Sequence, residues 1–139
     1  MFVVGFVLAG IDFHFGWTRL PKAVVVAGCV LFCGAYGLYA EVMRENAWLS
    51  RTVEVQEGQQ VVDTGLYGVV RHPMYLAVTV LFLSMPLVLG SGAALVPFLL
   101  VIPVLVKRIR NEEQVLEAGL PGYRAYTCQV KYRLLPGIW

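Results

Sequence analysis

Two short clusters flank a long uncharged stretch of this chain and hold most of the side chains able to do chemistry. The first is Gly65-Leu66-Tyr67, leading to Arg71-His72-Pro73-Met74-Tyr75. The second is Arg108-Ile109-Arg110-Asn111-Glu112-Glu113, with Leu116. Arg108 and Glu112 are four residues apart, so on a helix they share one face and set a cation beside an anion. The histidines, His14 and His72, lie in different segments, and no Ser-His-Asp, Cys-His or metal-ligand set suggests itself. Cys29, Cys33 and Cys128 make no CxxC pair; the first two share a helix face in an apolar run and read as packing residues. Each cluster also has a plain reading. Tyr67 and Tyr75 are then interfacial aromatics, Arg71 and His72 positive-inside residues, and Pro73 a helix start. Arg108 and Glu112 become a surface ion pair worth about 0.3–0.5 kcal/mol.

The elements that position these clusters follow from hydropathy. Of 139 residues, 58% are hydrophobic and 14% charged, and the mean hydropathy is +0.70. A soluble domain of this size needs a charged exterior, and the long uncharged stretches leave no residues to make one. The expectation is a single membrane domain over residues 1–139. A net charge of +2, with basic residues spread along the chain and no aromatic interleaving, argues against a nucleic-acid partner.

Residues 1–40 should form N-terminal membrane helices. Met1 to Ile11 is apolar but falls short of the ~20 residues of a crossing, and it ends at Asp12, His14 and Arg19. It lacks the basic start and small-residue cleavage site of a secretory signal, and reads as the tail of a helix truncated upstream. Pro21 suits a helix start, Ala23 to Ala40 run uncharged, and Gly28, Gly34 and Gly37 would allow close helix packing. Residues 41–73 form a polar connector. Residues 74–106 carry no charge and would be about 50 Å long as one helix, against a bilayer core of about 30 Å. They should fold back at Gly90-Ser91-Gly92 as a helical hairpin, with kinks at Pro86, Pro97 and Pro103. Residues 107–139 are polar again, helical to about Ala118, broken at Gly119–Gly122, then helical or irregular. The fold expected is an all-α integral membrane protein with three to four membrane helices. Nine of the eleven Lys and Arg residues, and eight of the nine acidic ones, fall in 41–73 and 107–139, which places both segments on the cytoplasmic side.

Together the clusters match G-x-Y-x-x-x-R-H-P-x-Y followed by R-x-x-x-E-E-x-x-L at every fixed position. In this the chain resembles the isoprenylcysteine carboxyl methyltransferase family and its phospholipid methyltransferase relatives. The resemblance runs from about residue 40 through Gly122-Tyr123, Tyr126 and Arg133-Leu134-Leu135-Pro136. Gly137-Ile138-Trp139 looks like the ending of bacterial members, and Asp12, Phe15, Gly16 and Trp17 look like a loop of theirs that follows additional membrane helices.

The resemblance implies S-adenosylmethionine as cofactor, bound without a Rossmann domain by a cytoplasmic C-terminal segment; no G-x-G-x-x-G occurs here. By motif position, Tyr67, His72, Pro73, Met74 and Tyr75 would enclose the cofactor, with Gln59, Gln60, Val61 and Val62 lining it. The family often has histidine where Gln59 stands. Glu112 matches a cofactor-binding glutamate suited to the α-amino group of the methionine portion. Arg108 matches a substrate-binding arginine. The pair would thus carry catalysis on a lipophilic or lipidated acceptor drawn from the membrane, expected to be a prenylcysteine-like carboxylate methylated on oxygen, with a nitrogen acceptor as the alternative. Tyr123, Tyr126 and Tyr132 would either pack over adenine or a substrate channel, or anchor the terminal segment at the interface. The expected setting is the bacterial cytoplasmic membrane with the site facing the cytoplasm, and with no metal. Two alternatives have the same helical plan: a membrane reductase of the sterol reductase type using NADPH, and a non-catalytic membrane scaffold.

Overall fold

The computed structural model describes residues 2–50 and 52–139. Met1, where the first apolar stretch begins, and Arg51, one of the connector's basic residues, lie outside them. Among the described residues all regular structure is helical: α1 (Phe2–Phe15), α2 (Lys22–Glu45), a 3-10 turn (Gly65–Gly68), α3 (Pro73–Val88), α4 (Leu95–Leu99), α5 (Val101–Gly119) and α6 (Tyr123–Gln129). The chain divides into two compact units. One comprises the sequence up to Gly37 with Ala77–Leu105, the other Leu38–Leu76 with Val106–Trp139.

In the first unit, α2 starts where Pro21 places it, the proline carbonyl accepting from Val24 N at 2.9 Å and Val25 N at 3.2 Å. The helix has 24 residues, its apolar window has a hydropathy of 2.0, and only 11% of that window is buried. At about 1.5 Å per residue it is about 36 Å long, enough for a hydrocarbon core of about 30 Å. Among the described residues it alone meets both criteria of length and hydropathy; α1 and α3, with 14 and 16 residues, are apolar but shorter. A Cβ at Gly28 would stand 2.7 Å from that of Leu87, so glycine is what lets α2 touch α3 there. Gly34 and Gly37 do not share this role, because a Cβ on either would find nothing within 4 Å.

The first helix outlasts the apolar stretch that ends at Asp12. Helix α1 continues to Phe15 with the Asp12 carboxylate buried. That carboxylate accepts from Thr18 N at 2.6 Å and from the hydroxyls of Thr18 and Ser91. The Thr18 hydroxyl oxygen accepts in turn from Gly92 N and Ala93 N, at 2.9 and 3.1 Å. A buried anion is tolerable when hydrogen bonds replace its hydration.

The chain folds back where expected: α3 ends at Val88 and Gly90 takes φ +69°. The returning limb, however, is two helices, with α4 ending at Leu99 and α5 starting at Val101. Pro103 has no N–H to offer the Leu99 carbonyl four residues back, and the α-helical ladder breaks at that point. Pro86, by contrast, is held inside α3.

The second unit is built around the polar end of α5. Gly119 closes that helix, Gly122 at φ +85° introduces α6, and Leu120, Tyr123, Tyr126 and Val130 pack with Val55, Val61 and Leu116. The tail beyond α6 returns to the first cluster: Arg71 N donates to Tyr132 O and His72 N to Arg133 O, both at 2.9 Å. The tail is closed on itself by the Trp139 carbonyl, which accepts from the N–H groups of Arg133, Leu134 and Leu135 at 2.9, 3.0 and 3.2 Å.

Candidate active site

Glu45, the last residue of α2, bridges to the 3-10 turn by accepting from Leu66 N at 3.0 Å. Its carboxylate lies directly over Gly65, where a Cβ would fall 1.7 Å from Oε1 and where φ is +54°. The Glu45 side chain could swing aside, so it is the left-handed backbone that calls for glycine here. Gly65→Ala is expected to cost about 1–2 kcal/mol, because it puts a Cβ in the left-handed region. A lowered thermal midpoint in detergent would show it, and an unchanged midpoint would contradict the geometry.

The turn delivers Tyr67 to a buried position. Its carbonyl accepts from the Tyr126 hydroxyl at 2.7 Å. Burial pushes the Tyr67 phenol up to about 12, outweighing the opposing hydrogen bond with the Asn46 side chain. The connector is closed locally: Gln56 N donates to Gln59 Oε1 at 2.9 Å, Gln59 N donates to Gln56 O at 3.1 Å, and Gly58 takes φ +76°. The Gln59 side-chain oxygen thus holds the turn.

These elements surround a cavity that opens to solvent. Of the residues singled out from sequence, Gln59, Gln60, Val61, Val62, Tyr67, His72, Met74, Tyr75 and Glu112 line it. Pro73 and Arg108 do not. Pro73 is fully buried as the first residue of α3. Arg108 approaches through Tyr75: Arg108 Nε donates to the Tyr75 hydroxyl at 2.9 Å, and that hydroxyl donates to Glu112 Oε2 at 2.5 Å. The tyrosine thereby links the helix-face cation to the helix-face anion.

Glu113 faces elsewhere. Its Oε1 lies 3.3 Å from His72 Nε2 and 3.1 Å from Arg71 Nε, and its Oε2 accepts from Arg133 Nε at 2.7 Å. The Arg71 contact is an ion pair outside hydrogen-bond alignment. Burial alone would raise the Glu113 carboxyl, but the His72 and Arg133 hydrogen bonds and the Arg71 charge together hold it below the usual carboxylate range. His72 Nδ1 points the other way and lies 3.9 Å from Glu112 Oε1.

Tyr123 and Tyr126, left open between pocket and interface, are buried and line the cavity; Tyr132 is exposed and does not. Burial raises both phenols above their ordinary value. The Tyr123 hydroxyl has no hydrogen-bond partner among the described residues. Asn46, Trp48, Arg71 and Leu120 also line the cavity and were assigned no place in it from sequence. For Arg71 the signal was present, since it belongs to the first motif. For Asn46 and Trp48 the only cue was their position just after the charged end of α2.

By fold and site this is a helical chain combining an apolar helix of bilayer length with a pocket of aromatic and ionic side chains. The family model described as Isoprenylcysteine carboxyl methyltransferase (ICMT) family matches residues 24–118, and the chain belongs to that family. It is also similar to the Delta(14)-sterol reductase TM7SF2 of Mus musculus, at 32% identity over 92 residues. That match covers 63% of this chain and 22% of the reductase, so the chain spans under a quarter of that relative's length.

Proposed function

We propose that this chain methylates a lipophilic acceptor, in the first instance a prenylcysteine-like carboxylate, with S-adenosylmethionine as donor. The observation that carries this reading is the convergence of Tyr67, His72, Tyr75 and Glu112 on one cavity within a member of the ICMT family. The setting proposed is a bacterial cytoplasmic membrane, crossed three or four times, with the site on the cytoplasmic side.

The lining suits the donor. Tyr67, Tyr123 and Tyr126 with Val61, Val62 and Leu116 offer aromatic and apolar walls to a nucleoside, and the Glu112 carboxylate suits an ammonium group. The buried Tyr123 hydroxyl, without a partner among the described residues, is a polar group still to be satisfied in that wall. S-Adenosylmethionine, when bound, supplies a methyl group on a sulfonium. The protein's part is alignment and exclusion of water: Glu112 binds, Tyr75 keeps Glu112 and Arg108 in register, and Arg108 attracts an anionic acceptor. A carboxylate acceptor requires no proton removal.

Calorimetric titration of the detergent-solubilised protein with S-adenosylhomocysteine tests this without knowledge of the acceptor. Saturable 1:1 binding, with no heat from NADPH, is the expected result. The identity shared with the sterol reductase supports one rival reading, a nicotinamide-dependent reductase, and binding of NADPH alone would transfer the assignment to it. Binding of neither would favour a non-catalytic scaffold.

A further inference from the structure

His72 is gripped from two sides by residues for which the proposed chemistry has no use. Its backbone N donates to Arg133 O at 2.9 Å, and its Nε2 lies 3.3 Å from Glu113 Oε1. Arg133 is itself tied down: its Nε donates to Glu113 Oε2 at 2.7 Å, and its guanidinium lies 5.5 Å from the centre of the Trp139 ring. Arg71 completes the enclosure, at 3.1 Å from the oxygen that faces the imidazole. The ring of Tyr75 packs beside it, centroids 5.7 Å apart.

A carboxylate held between two guanidinium groups stays ionised and can only accept. Nε2 must then be the nitrogen that donates, and the hydrogen bond made by one imidazole nitrogen sets the state of the other. In the neutral imidazole Nδ1 is then the nitrogen with the lone pair, and it lies 3.9 Å from Glu112 Oε1, another acceptor. Neither acceptor can satisfy the other. Both are side chains of the cavity wall, and both suit a cationic group carrying more than one N–H.

We propose that Glu113 and Arg133 are positioning residues that fix His72 as its Nε2-protonated tautomer, so that Nδ1 and the Glu112 carboxylate act as paired acceptors for one ammonium group of the ligand. The tautomer is a property of the ligand-free protein. Only the identity of the ammonium, the amino end of the methionine portion, rests on the methyl-transfer reading.

The test is nitrogen-15 NMR of imidazole-labelled protein in detergent at pH 8. The exposed His14 is replaced by glutamine, so that His72 gives the one histidine signal. The expected spectrum has a protonated Nε2 and an unprotonated Nδ1. Arg133→Ala and Glu113→Gln should give a mixture of tautomers and raise the Kd for S-adenosylhomocysteine in inverse proportion to the Nε2-protonated fraction, about twofold for an even mixture. Arg133→Lys should keep the wild-type tautomer and most of the affinity, whereas a merely structural arginine would show no such link between spectrum and binding. Wild-type protein with Nδ1 protonated, with both nitrogens protonated, or with mixed tautomers overturns the proposal. So does an Arg133→Ala variant with spectrum and Kd unchanged. Should that variant not fold, the wild-type spectrum decides alone. A pure Nε2-protonated signal in protein that binds no S-adenosylhomocysteine would leave the positioning role standing and remove the cofactor reading instead.

Discussion

Replacing Glu112 with alanine is expected to weaken S-adenosylhomocysteine binding roughly 10- to 100-fold, the loss of one charge-assisted hydrogen bond of about 1.5–3 kcal/mol. Arg108→Ala should leave that affinity within about threefold and instead cut turnover of an S-prenylcysteine carboxylate by about 30-fold or more, as removal of a paired charge at a binding surface does. Helix spacing alone gives the two residues equal standing on one face of α5, and the structure separates them. Glu112 is part of the cavity wall, with 28% of its side chain exposed, and it receives the Tyr75 hydroxyl at 2.5 Å. Arg108 meets the cavity through that hydroxyl, at 2.9 Å. Tyr75→Phe should accordingly lose part of both effects. Equal losses of affinity in the two single variants, or none in either, would refute the division of labour between cofactor and acceptor.

What sequence reading captured here depended on how local the determining interaction was. The start of α2 at Pro21 and the fold-back at Gly90 need only a residue's own backbone restrictions, and both were legible. The burial of Asp12 was not: Thr18, six residues on, donates to the carboxylate twice, but the contact that completes the set comes from Ser91, 79 positions away. Gly28, Gly34 and Gly37 look alike in sequence, yet only Gly28 has a neighbouring helix against it. The two motifs were visible as patterns of residue types, so Tyr67, His72, Met74, Tyr75 and Glu112 could be named in the cavity wall, while about half of that wall could not. Asn46 and Trp48 belong to an irregular connector without periodicity, and their place in the wall is set by the fold of the whole unit. Glu113 illustrates the same limit inside a motif. Successive residues on a helix point about 100° apart, and Glu112 and Glu113 accordingly face the two different nitrogens of His72. Which one meets the cavity and which meets Arg71 and Arg133 depends on a tail that returns 20 residues later.

Glu113→Ala should be the most destabilising single change in the second unit, at about 3 kcal/mol, the lower end of the cost of leaving a buried ion pair without one partner. The lower end applies because the charges left behind are unequally placed. The Arg71 side chain is 9% exposed and cannot readily regain water, whereas that of Arg133, at 36%, can. Glu113→Gln keeps an acceptor for Arg133 Nε and should cost less. The same contacts dictate the pH dependence. The Glu113 carboxyl is held below its ordinary value of 4.5 in the folded protein, so folding favours the ionised form. Its contribution is complete above the ordinary carboxylate range and is lost as the pH falls through the depressed folded value. Thermal midpoints in detergent, measured from pH 7 down to about pH 3, a range that brackets the ordinary carboxylate titration, should therefore drop at the acidic end in the wild type. In Glu113→Gln, which has no proton to take up at this position, part of that drop should be missing. Identical acid profiles for the two proteins would mean that the carboxylate is not what ties Arg71, His72 and Arg133 together.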